Sequence, residues 1–156
     1  MIIREATESD VTTLGALFDH AVRSAGPRLF TPDQVEAWAS VAADREAYGH
    51  RVLRQRAWIA EDGGGPAGFV SLGADGHLGA LYVRGDRQGL GTGTALLRKA
   101  LAAANEAGLN RLYSEGNDLS PPLVEREGFV VTGEETVKLG GVRIDRHVVE
   151  RRLGRH

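Results

Sequence analysis

The sequence predicts an α/β fold: a mixed, largely antiparallel sheet flanked by helices, in the order βααβββαβαββ. Three observations carry this. Short runs rich in Val, Ile, Leu and aromatic residues are bounded by turn residues, as strands are. Longer segments carry apolar residues at helical spacing. Two pairs of strand-like runs are divided only by glycines, "GGG" at 63–65 and Gly140-Gly141, as hairpins are. With 156 residues, 42% hydrophobic and 26% charged, the chain suits one domain spanning 1–156 with a real core.

The elements follow in order. "MIIREA" reads as a first strand. "SDVTTLGALFDHAVRSAG" sets Val11, Leu14, Leu17, Phe18, Ala21 and Val22 on one helical stripe, with Ser9 or Asp10 as cap. "TPDQVEAWAS" opens a second helix, with Thr31 as cap, Pro32 at the first helical position and Gln34 completing a capping box. "RAWIAED" and "PAGFVSLG" form a hairpin, and "HLGALYVRG" adds a strand. A helix over 92–107 gathers Ala95, Leu96, Ala100, Leu101 and Ala104 on one face. "NRLYSEG" is the next strand, and "SPPLVEREG" a short helix ending at Gly128. "FVVTGEETVKL" and "VRIDRHVVERRL" close as a long hairpin.

Composition excludes several function classes. Net charge is -2, so no global basic field argues for nucleic acid or an anionic membrane. There is no Cys, which excludes disulfides, thiolate metal sites and a Cys nucleophile. No His, Asp and Glu cluster has metal spacing, so no metal is expected. No apolar run is long enough to span a bilayer, and "MIIREATESD" does not read as a signal peptide. The expected location is the cytoplasm.

The segment "RQGLGTGTALLRKAL" (87–101) is the informative one. Gly89, Gly91 and Gly93 alternate directly before a helix of Ala and Leu, although glycine weakens helices. A helix start presents unpaired N–H groups and a positive dipole end, and glycines let an anion approach the backbone. The phosphate loop of NTPases requires a Lys after its last Gly, which is missing. The dinucleotide fingerprint requires GxGxxG after a first strand. Here Thr stands at 94 and the segment lies mid-chain, although Glu115 falls near the expected acid.

"LYVRGDRQGLGTGTALL" resembles the signature of the GNAT family, the GCN5-related N-acetyltransferases, in which [Q/R]-x-x-G-x-[G/A] links a strand to a helix. Gln88, Gly91 and Gly93 match it. "NDLSPPLVEREGF" resembles the family's second signature through Asn117, Ser120, Gly128 and Phe129. The resemblance covers most of the chain and implies acetyl-CoA as co-substrate. Its pyrophosphate would rest on Gln88, Gly89, Leu90, Gly91, Thr92, Gly93 and Thr94. The pantetheine arm would pair with backbone groups of Leu81, Tyr82 and Val83. That strand and the next would splay to admit it, with Asn117 and Ser120 on the pantetheine side.

Acetyl transfer to an amine needs a proton acceptor, a donor for the oxyanion and an acid for the leaving thiolate. Val83 N–H is the family-like oxyanion donor. Many relatives carry the acid as a Tyr four residues before the Gly of Gly-Phe, but here that position is Val124, which cannot donate. Tyr113 and Tyr82 are the alternatives, although a strand Tyr is ordinarily a packing residue. Relatives often carry an acid in the strand before the loop, where this chain has Gly79. That leaves His77 and Glu115 as candidate bases. Glu115 is favoured because it ends the strand leading to Asn117. Phe30, Trp38 and Arg28 lie where an acceptor would be recognised, between the two helices after the first strand. The expected activity is transfer of acetyl from acetyl-CoA to a primary amine of a small molecule or peptide. A non-catalytic acyl-CoA-binding or sensing module is the alternative, a nicotinamide oxidoreductase the third reading. A homodimer is compatible with the sequence.

Overall fold

The computed structural model describes residues 1–87, 91–116 and 126–154. β1 (Ile2–Glu5) leads into α1 (Val11–Ala25), whose buried stripe is Val11, Leu14, Leu17, Phe18, Ala21 and Val22 with Gly15. α2 (Pro32–Ala39) starts at the expected capping box: Gln34 N donates to Thr31 Oγ1 at 3.2 Å, and Thr31 N donates to Gln34 Oε1 at 3.0 Å. α3 (Arg45–Val52) is a third helix before the second strand, where the sequence reading has only two. Asp44 caps it, its carboxylate accepting from Ala47 N at 3.0 Å.

β2 (Arg56–Asp62), β3 (Gly65–Leu72) and β4 (Leu78–Val83) join β1 in an antiparallel sheet ordered β1-β2-β3-β4. After α4 (Thr92–Glu106), β5 (Arg111–Gly116), β6 (Val130–Leu139) and β7 (Val142–Arg152) form a second antiparallel sheet ordered β5-β7-β6. The short helix expected over 120–128 falls mostly outside the described residues.

Strand alternation sorts the core onto two faces. Ala57, Ile59, Phe69, Ala80 and Ile144 pack against α1, α2 and α3. Trp58, Val70, Leu72, Leu78, Leu112 and Val149 pack against Leu96, Leu97, Ala100 and Leu101 of α4. Burying Leu96, Leu97 or Phe69 contributes about 2 kcal/mol each. Helices on both faces leave the edge between β4 and β5 as the place where the sheet opens.

Candidate active site

β4 and β5 run parallel and touch at the bridge His77–Tyr113. There Tyr113 N donates to Gly76 O at 3.0 Å, and Ser114 Oγ donates to Leu78 O at 2.8 Å. Beyond Ser114 no ladder joins the two strands among the described residues. The strands therefore diverge as the sequence reading expects, closed at His77 and open toward the start of α4.

Backbone alternation decides which groups of β4 face the opening. Arg84 N donates to Ala67 O at 2.8 Å, which makes 84 and 67 a hydrogen-bonded pair. Following the register back, Tyr82 pairs in the same way with Phe69, whereas Val83 opposite Gly68 and Leu81 opposite Val70 turn their N–H and C=O away from β3. So Leu81 and Val83 aim peptide groups toward β5, and those of Tyr82 are directed to β3. The Tyr82 ring lies instead in an aromatic cluster, 4.8 Å from Phe18, 5.7 Å from Phe69 and 6.2 Å from Trp38 between centroids. Burial pushes its phenol up to about 12.

α4 begins where the opening ends. Gly91 precedes its first residue at φ +80°, a left-handed conformation that favours glycine, and a Cβ there would meet no neighbour. The glycine is required by the backbone angle. Among the described residues no side chain caps α4, and Ala95 N is the donor to Gly91 O at 3.0 Å. The N–H groups of Thr92, Gly93 and Thr94 thus occupy the first turn, where a helix has no acceptors of its own. Thr92 is buried. Gln88, Gly89, Leu90, Asn117, Ser120 and Val124 lie outside the described residues.

At the closed end the structure brings together the side chains the sequence singles out. His77 Nε2 lies 2.7 Å from Glu115 Oε2, each side chain 28% exposed. The His77 ring stacks on Tyr113, centroids 5.0 Å apart. Tyr113 Oη donates to Asp75 Oδ2 at 2.6 Å, and His77 N donates to Asp75 Oδ1 at 3.2 Å. The Tyr113 bond holds the Asp75 carboxyl below the usual range, and Asp75 in turn raises the Tyr113 phenol. Two members of the cluster, Asp75 and Gln55, were absent from the sequence reading. Gln55 Nε2 is 3.2 Å from His77 Nδ1.

Gly79 sits in a bulge. Leu72 pairs with Leu78 and Ser71 with Ala80, so Gly79 is the extra residue of β4. A Cβ at Gly79 would lie 2.4 Å from Gln55 Oε1 and 3.0 Å from Ser71 Oγ. Gln55 therefore occupies the space a side chain at 79 would need.

Among the helices, Trp38 and Phe30 stack edge to face at 5.6 Å and belong to the core or pack against it. Among the described residues no helix is long and apolar enough to cross a membrane, and no group of His, Asp and Glu has a metal-holding arrangement.

Comparison with known proteins agrees with the fold. A family profile described as "Acetyltransferase (GNAT) domain" matches residues 28–145. The uncharacterized N-acetyltransferase YafP of Escherichia coli (strain K12) is 25% identical over 139 residues, covering 89% of this chain and 87% of YafP. The structure described as "GCN5-Related N-acetyltransferase: Aminotransferase, Class-II" from Rhodopseudomonas palustris superposes with a TM-score of 0.92 at 27% identity, over 97% of this chain and 95% of its own. The protein yncA from Salmonella typhimurium, solved with its cofactor acetyl-CoA, shares the fold at a TM-score of 0.69 and 23% identity, over 100% of this chain and 95% of its own.

Proposed function

Because the chain belongs to the GNAT acetyltransferase family, we propose that it transfers an acetyl group from acetyl-CoA to a primary amine of a small molecule or peptide by direct attack. The observation that carries this reading is the paired His77 and Glu115 at the closed end of the β4–β5 opening. The site fits the co-substrate: Leu81 and Val83 aim peptide groups along the opening, and the first turn of α4 offers N–H donors at its far end.

Acetyl-CoA supplies the acyl group as a thioester. The residues of this chain do the rest. Thr92, Gly93 and Thr94, with Gln88 to Gly91, hold the pyrophosphate. Leu81 and Val83 align the pantetheine as an added strand, and Val83 N–H stabilises charge developing on the acetyl oxygen. Asn117 and Ser120 complete the pantetheine side. An amine with a pKa near ~10 is almost wholly protonated at neutral pH. Glu115 takes its proton, directly or through a water, with His77 bonded beside it. The N–C bond forms as the C–S bond breaks; the thiolate regains a proton, and the second proton shed by the acylated nitrogen, carried by water, restores the donor. Tyr113, stacked on His77, is the proposed donor, in exchange for its bond to Asp75.

Glu115→Gln tests the base. It keeps the shape but removes the proton acceptor, and kcat/KM is expected to fall about a hundredfold. Tyr113→Phe is expected to lower kcat by a similar factor of about a hundred, and a wild-type rate would return the thiolate's proton to solvent. Val124 at the usual Tyr position and Gly79 at the strand-acid position are the two features favouring a module that binds acyl-CoA without turnover. Thiol release from acetyl-CoA across a panel of primary amines separates the two: release with any amine supports the enzyme, and CoA binding without release supports the module.

A further inference from the structure

We propose that Gln55 is a positioning residue of this site, fixing the His77 ring so that its Nε2–H points at Glu115. The proposal rests on the reading of His77 and Glu115 as the proton-accepting pair. Gln55 lies in the turn between α3 and β2, remote in sequence from both. Its amide lies between two glycines of the β3–β4 hairpin. A Cβ at Gly79 would come within 2.4 Å of Gln55 Oε1, and a Cβ at Gly73 within 2.8 Å of Gln55 Nε2. A side chain at either glycine would displace the amide.

The chemistry follows from donor and acceptor counts. A neutral imidazole has one N–H and one lone pair. Gln55 Nε2 can only donate, and it faces Nδ1 at 3.2 Å. Nδ1 therefore carries the lone pair, and the ring proton is on Nε2, 2.7 Å from Glu115 Oε2. The opposite tautomer would set an N–H against the amide N–H and a lone pair against the carboxylate. Gln55 thus excludes the tautomer that would disrupt the pair. The other titratable groups facing His77 are Asp75, which accepts from its backbone N–H, and Tyr113, on which it stacks. Neither touches Nδ1 among the described residues, so Glu115 holds the ring proton on Nε2 and Gln55 holds the lone pair on Nδ1.

Two variants and two readouts test this. Gln55→Leu removes the donor, and Gln55→Glu, of the same shape, replaces it with an acceptor. Long-range proton–nitrogen NMR correlations of the full-length protein report which His77 nitrogen is protonated. In the wild type at neutral pH, Nδ1 is expected to be unprotonated and Nε2 protonated. Gln55→Leu should mix the tautomers and lower kcat by about tenfold, part of the roughly 10²–10⁴ that a positioned base supplies. CoA affinity should be unchanged, which also shows that the variant folds. Gln55→Glu should draw a proton onto Nδ1, visible in the same spectra. A protonated Nδ1 in the neutral wild-type ring, or unchanged His77 signals in both variants, would overturn the proposal. The base reading fails separately: full activity in both His77→Ala and Glu115→Gln would refute it while leaving the NMR result to decide Gln55.

Discussion

Arg4 grips Asp10 through both terminal nitrogens, Nη1 to Oδ2 at 2.9 Å and Nη2 to Oδ1 at 2.8 Å, and its Nε donates to Glu61 at 3.0 Å. The Arg4 bonds pull the Asp10 carboxyl from 3.8 down to about 2, and its side chain is only 10% exposed. A depressed carboxylate contributes stability above its unfolded pKa and loses it as pH falls through the folded value. Asp10 is therefore expected to contribute about 2 kcal/mol at neutral pH, lost between about pH 4 and pH 2. Urea titrations of wild type and Asp10→Asn across that range check it: the gap should close toward pH 2, and a gap constant with pH would contradict it. In the proposed catalytic cluster, His77, Tyr113 and Glu115 stand out one by one in the sequence, because each is a reactive type in or next to the strands that flank the glycine segment. Their mutual arrangement was not, since β4 and β5 meet only through tertiary pairing. Gln55 was illegible because a half-buried turn amide carries no pattern. Its role depends on two glycines in another hairpin having no side chain.

At the scale of elements, the capping box of α2 and the stripe of α1 were written plainly in local sequence. α3 was not, for a physical reason. Its buried face consists of Tyr48, Gly49 and Val52, and Gly49 is a poor helix residue that erases the apolar periodicity. The glycine serves the packing of α3 on α1. A Cβ on Gly49 would lie 2.1 Å from Val11 O, and one on Gly15 would lie 2.5 Å from Arg45 O. The two helices approach through missing side chains. Gly49→Ala is therefore expected to destabilise by about 1–3 kcal/mol despite the better helix propensity of alanine, because the close contact is with backbone. The midpoint of urea unfolding reads this directly, and a rise in stability would show that α3 packs more loosely. Asp44, directly before two charged residues, is the one local signal of this helix, and the sequence reading missed it.

At the scale of the whole molecule, two antiparallel sheets meet along one short parallel seam, and the seam makes the site. The glycine-rich helix start, the strand before it and the diverging strand after it follow from the sequence through the family resemblance. Residue patterning alone led no further than an α/β domain. The proposed acceptor side was less legible, because Trp38 and Phe30 serve the core whether or not a substrate lies beside them. The central claim is that the first turn of α4 holds the pyrophosphate of CoA, and Gly93→Asp tests it most directly. An acid in the first turn of a helix is favourable to the helix dipole by about 0.3–1 kcal/mol, so the fold is expected to survive with its melting temperature unchanged or raised. The same carboxylate would stand where the pyrophosphate belongs and repel it. Isothermal calorimetry with CoA on wild type and folded Gly93→Asp is the measurement. The account predicts binding by the wild type and none detectable in the variant; equal affinity in both would contradict it.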